Sequence, residues 1–134
     1  MGGFSNTLEA KLLDVVFGKA TYTSPNIWVA LCKSLISDLD TGTTIAEITG
    51  VNYVRVLVVA SSWSSSAVSG AISNVDTISW ATATDAWGTV THTAVCDASV
   101  LGNVLCYASV ADAKTVASGD QVQFAAGAFD VILS

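Results

Sequence analysis

Charge is what this chain has least of: Asp, Glu, Lys and Arg together make 12% of its 134 residues, about half the usual globular share. Basic residues are scarcest. Only five are present, Lys11, Lys19, Lys33, Arg55 and Lys114, scattered along the chain and set against eleven acids for a formal net charge of −6. A nucleic-acid binder concentrates Lys and Arg on one face, so direct nucleic-acid binding is not expected. Long apolar runs are missing too. Val56–Ala60 is the length of one strand, far below the ~20 residues that cross a bilayer as a helix, and no membrane partner is expected. The first residues, Met-Gly-Gly-Phe-Ser-Asn, lack a basic stretch followed by an apolar one, so synthesis in a cytosol, with a role after assembly, is the expectation.

Histidine occurs once, as His92, and proline once, as Pro25. One histidine without well-placed companions does not make a zinc site, and no nucleophile-elbow spacing accompanies it. Dinucleotide and phosphate-loop fingerprints are absent. No metal or cofactor is therefore expected, and no catalytic residue is assigned. The three cysteines, Cys32, Cys96 and Cys106, form no C-x-x-C pair and cannot all pair within one chain. Their default reading is buried small hydrophobes. The other reading is a cross-strand disulfide between Cys96 and Cys106, which flank a turn near Leu101, if hairpin register sets them face to face.

Hydrophobic residues are abundant, at 51%. So much apolar surface with so little charge points to an exterior partly buried against other subunits, as obligate interfaces resemble a core cut in half. One segment has helical spacing. Leu8, Leu12, Val15 and Val16 recur on one side, Asn6 with Glu9 resembles a capping box, and Gly18 with Lys19 supplies a stop. A helix over about 6–17 is expected, with Leu8 and Leu12 as a candidate interface.

Beyond Pro25 the period is that of strands. Ile27–Lys33 reads as a strand buried on both faces and Tyr53–Ala60 as a second. Thr89–Asp97 and Asn103–Val110 read as a hairpin around Ala98–Gly102. Gln121–Ala125 and Ala128–Leu133 read as a last pair turning at Gly127. About eight strands with turn signals every eight to twelve residues predict a two-layer antiparallel β-sandwich, a single domain over 1–134. Trp28 and Trp87 are expected in the core. Trp63, in the Ser-rich stretch 61–70, is expected at the surface as a candidate interface or sugar platform.

The long connection 35–52 carries the sharpest enzymatic echo. Asp40-Thr41-Gly42 is the aspartic-protease triplet, and Val100-Leu101-Gly102 follows like the apolar-apolar-Gly element of a retropepsin. The acidic neighbour Asp38 argues instead for an Asx-type turn in a solvated loop. Asp38, Asp40 and Glu47 hint at a calcium loop, but their spacing fails the EF-hand pattern.

Ala86-Trp87-Gly88-Thr89-Val90-Thr91-His92, followed by Cys96-Asp97-Ala98, resembles the central signature of small tailed-bacteriophage virion proteins. Trp28-Val29-Ala30-Leu31, Tyr53-Val54-Arg55-Val56, Ile72-Ser73-Asn74, Ser118-Gly119-Asp120 and Phe124-Ala125-Ala126-Gly127 fall in the same order. The resemblance implies a non-enzymatic structural protein of the virion and makes Asp40-Thr41-Gly42 part of a strand-connecting loop. Within that class a compact domain suits a capsid decoration (cement) protein, expected as a homotrimer on the major capsid protein at three-fold positions. The alternative is a tail or tail-fibre component with a receptor- or glycan-binding role; a retropepsin-like protease is the remote one.

Overall fold

The computed structural model describes residues 3–64 and 70–133. The chain is mainly β, with antiparallel sheets and one helix, as its turn spacing predicts. Along the described residues run β1 (Gly3–Phe4), α1 (Asn6–Val16), β2 (Ile27–Cys32), β3 (Val56–Val58), β4 (Ala71–Ser73), β5 (Ile78–Ser79), β6 (Gly88–Cys96), β7 (Val104–Val116), β8 (Gln123–Phe124) and β9 (Asp130–Ile132). Five of these form one sheet in the order β1-β7-β6-β2-β3.

The sheet is built on β2, whose residues alternate cleanly between two cores, as a strand buried on both faces must. Val29 and Leu31 join a large cluster with Val58, Ile78, Trp80, Trp87, Val95 and Phe129. Ala30 and Cys32 point the other way, into a smaller cluster with Ile36, Ile45, Ala94, Cys96 and Val104. The second layer over the first face is not one continuous sheet. It consists of two two-stranded ladders, β4-β9 and β5-β8. The second face is covered by the connection after β2, through Ile36 and Ile45.

The ladders correct one expectation. The last two strands do not pair with each other: Phe124 lies opposite Ile78 and Val131 opposite Ile72. Asn74 explains the arrangement. Its Nδ2 donates to the carbonyls of Asp76 and Ala125, and its Oδ1 accepts from the N–H of Phe129. A buried amide thus fixes the 125–129 corner to the β4–β5 connection and sends each arm to a different partner.

The hairpin β6-β7 forms where expected. Asp97 closes its turn, accepting from the backbone N–H and the side-chain amide of Asn103 at 2.7 and 2.8 Å. Leu101 and Gly102 carry positive φ, 53° and 70°. The register, however, puts Cys106 opposite Val95 and Cys96 opposite Val104. A one-residue offset turns side chains to opposite faces. Cys96 therefore sits in the smaller core and Cys106 in the larger, and the disulfide considered between them gives way to three free, buried thiols.

The cap of helix α1 lies one residue before the one expected. Ser5 is the N-cap, its Oγ accepting from the Leu8 N–H at 3.3 Å while donating to the Val104 carbonyl. At the other end Gly18 N–H reaches the Val15 carbonyl and Lys19 N–H the Asp14 carbonyl, the paired bonds of a Schellman stop.

Candidate functional site: a stapled loop end and an apolar helix groove

Arg55 organises one end of the molecule. It stands between Val54 and Val56 at the entrance to β3 and is buried. A buried guanidinium needs every N–H direction answered, and this one finds partners on two separated segments, 42–47 and 98–101. Its Nε donates to both Glu47 oxygens at 3.1 and 3.2 Å, and Nη2 to Glu47 Oε2 at 3.0 Å. Nη2 also reaches the Gly42 carbonyl at 2.8 Å, while Nη1 reaches those of Ala98 and Leu101 at 2.9 Å each. Tyr53 completes the set: its hydroxyl donates to Glu47 Oε1 at 2.6 Å and accepts from the Leu31 N–H at 3.0 Å. Burial, then the neighbouring Glu47 charge, pushes the Tyr53 phenol far above its ordinary range, so it stays a donor.

The staple binds the 38–47 connection to the 98–102 turn. Gly42 N–H donates to the Gly102 carbonyl at 2.9 Å, and a Cβ on Gly42 would lie 1.8 Å from the Leu101 oxygen. Only glycine permits that approach. Beyond the contact Leu39, Val100 and Leu101 stand at the surface, 80%, 70% and 61% exposed. The loops thus hold apolar tips on a rigid base.

The two halves of the retropepsin echo meet here, through the Gly42–Gly102 hydrogen bond. The Asp40 carboxylate accepts from the backbone and hydroxyl of Ser37 and from the Thr44 hydroxyl. Those bonds hold it below the usual carboxylate range and make it the turn acid that its neighbours suggested. Asp38 turns away to accept from the Tyr107 hydroxyl, and Glu47 is taken by Arg55. Three acids read as a loose calcium set are thereby committed to three different partners. Among the described residues no three His, Cys, Asp or Glu side chains gather as a metal site. His92 lies half-buried with its Nδ1 2.8 Å from the neighbouring Thr91 hydroxyl, and desolvation lowers its pKa.

Trp63 is not the free platform expected. Half-buried, it packs on the larger core with its ring edge-on to Phe129, 6.1 Å between centroids. Trp87 is buried as expected and donates from Nε1 to the Val51 carbonyl at 2.8 Å. Trp28 is only half-buried, against the smaller core, and Trp80 is the more deeply buried indole.

The second surface feature is a groove of about 910 Å³ between α1 and β9, floored by β6 and β7. Leu12, Leu13 and Val16 form one wall, Val131, Ile132 and Leu133 the other. Leu8 instead packs on the core. No residue of α1 is fully buried. The outward face is Leu13, Val16 and Phe17, displaced by about one residue from the Leu8–Leu12 face expected.

The described residues thus form a mainly antiparallel β domain with pinned loops and an apolar surface. The family profile described as Podophage GP4 fiber I protein gp80 matches residues 3–132, and the chain belongs to that family. It is a bacteriophage virion structural protein, as the Trp87–His92 signature implied. No curated protein matches it.

Proposed function

We propose that this chain is a non-enzymatic part of the phage tail, a fibre component that works by docking against other virion proteins. The observation that carries the reading is the match to a fibre family along nearly the whole described chain. The surface supports it: apolar tips on loops fixed by Arg55, and an apolar groove beside an exposed helix, suit permanent assembly contacts. Asp40 is engaged in a turn, His92 lies on the central strand β6 and the cysteines lie in the core, which favours a role without catalysis. Assembly would take place in the host cytoplasm.

Gold-labelled antibody against the chain, applied to intact particles, tests the placement. Label on the tail is expected. Label over the head alone would overturn the fibre reading in favour of capsid decoration, the second reading, which the packing of the described strands around one five-stranded sheet favours. With Trp63 packed on Phe129, a glycan platform there has little support. Glycan-array binding lost in Trp63→Ala, with the fold intact, would restore it.

A further inference from the structure

We infer that the α1 face is a self-association surface, on which a second copy of this chain packs helix to helix about a two-fold axis near Leu13. The inference does not depend on where in the particle the protein sits.

Helical geometry brings Glu9, Leu13 and Val16 onto one stripe, with Phe17 at its end. Leu13, Val16 and Phe17, together with Ile132 and Leu133 across the groove, are 58–74% exposed. From ordinary side-chain sizes these five leave on the order of 600 Å² of apolar surface per copy, near the ~800 Å² that each partner brings to a standard interface. Scattered surface leucines need no explanation; a contiguous patch of this size on a chain so poor in charge does. Phe17 is placed to anchor it. The Schellman stop fixes its backbone as the helix C-cap, and rigid aromatics are the preferred anchors of interfaces.

The occupant is argued from charge. Glu9 lies at the N-terminal end of the stripe and lines the groove. Lys19 is exposed just past the C-terminal end. Lys11 is drawn aside over the Tyr22 ring at 5.2 Å, so it does not interrupt the stripe. An antiparallel copy centred on Leu13 brings each Glu9 toward the other Lys19, sets the two helix dipoles head to tail, and covers both Phe17 rings. The same patch on both copies is the definition of an isologous contact, which closes as a dimer. The trimer suggested by capsid three-fold symmetry would need two different patches instead.

Light scattering and sedimentation of the full chain at up to about 100 µM test this. A dimer is expected, and Val16→Asp or Phe17→Asp should weaken it at least tenfold. Val15→Asp, exposed on the opposite side of the helix, should leave it unchanged. Circular dichroism would show all three folded, since each position is at the surface. Leu13→Cys should give a covalent dimer on oxidation; wild type and Val15→Cys should not, because the native thiols are buried. A monomer throughout, a trimer, or a dimer that survives both Val16→Asp and Phe17→Asp would overturn the inference. So would capture of another virion protein by this face in preference to a second copy.

Discussion

Arg55 and Glu47 face each other eight residues apart, 3.0 Å between Nη2 and Oε2, and the pair holds two loops rather than two strands. Removing the arginine would leave Glu47 partly buried beside the Tyr53 hydroxyl, with the carbonyls of Gly42, Ala98 and Leu101 unanswered. Breaking one side of such a pair typically costs several kcal/mol, because the survivor keeps its desolvation penalty. Arg55→Met should therefore lose about 3 kcal/mol in urea unfolding. Adding Glu47→Leu to it should restore part of that loss, since no unpaired charge is then left. A double variant less stable than the single one would show that the bond from the Tyr53 hydroxyl to Glu47 is worth more than the unpaired carboxylate costs.

Gly42→Ala tests the close approach of the two loops. Its Cβ would meet the Leu101 oxygen at 1.8 Å, and backbone on both sides has little room to give. Overpacking of this kind costs about 1–3 kcal/mol. The thermal midpoint should drop accordingly, with local shifts in amide resonances of 98–102. Gly119→Ala makes a useful contrast. Nothing lies within 4 Å of its added Cβ, and its cost comes only from a φ of 92°.

Strands with their own signal were readable from sequence, and so was the β6-β7 hairpin, because Asp97, Gly102 and Asn103 encode its turn locally. The pairing of β8 and β9 was not. Their partners Ile78 and Ile72 lie dozens of residues away, and short apolar runs do not say which of several strands they will meet. Trp63 misled for the same reason: its serine neighbours suggest a surface loop, while Phe129 arrives from the far end of the chain. Arg55 is the clearest case. A single basic residue inside a β-branched run was visible, but its partners are mostly backbone carbonyls, which carry no side-chain signature. Of the candidate surface, the helix was legible but its outward face was not, because the packing of Leu8 on the core, a contact distant in sequence, decides which side turns outward.

The thiols predict behaviour at high pH. Burial, first of all, pushes Cys32 and Cys106 up to about 12 and Cys96 to about 11. An unfolded thiol ionises near ~8.5, so the folded state retains protons that the unfolded chain releases. Their contribution is therefore fully present below about pH 8.5 and is lost as pH rises toward 11–12, each thiol weakening stability by about 1.4 kcal/mol per pH unit in that window. Replacing Cys106 with Ala should flatten the alkaline limb of a stability–pH curve. A thiol reagent at pH 8 should label none of the three cysteines in the folded protein and all three in denaturant.

Val95 and Cys106 stand directly opposite in the β6-β7 ladder and both line the helix groove. Opposed antiparallel residues have Cα atoms about 4.5 or 5.5 Å apart, within the span that a disulfide bridges. Val95→Cys should therefore oxidise to a bridge with the native Cys106. By closing a short hairpin loop it should stabilise the fold by about 2–3 kcal/mol, less any strain. Alkylation followed by intact-mass measurement reads the outcome, and peptide mapping assigns the pair. In wild type the same oxidant should leave Cys96 and Cys106 unbridged, because their side chains leave the hairpin on opposite faces. A native Cys96–Cys106 bridge would mean a shifted register, with Cys106 rotated out of the core that Val95, Leu105 and Phe129 build around it.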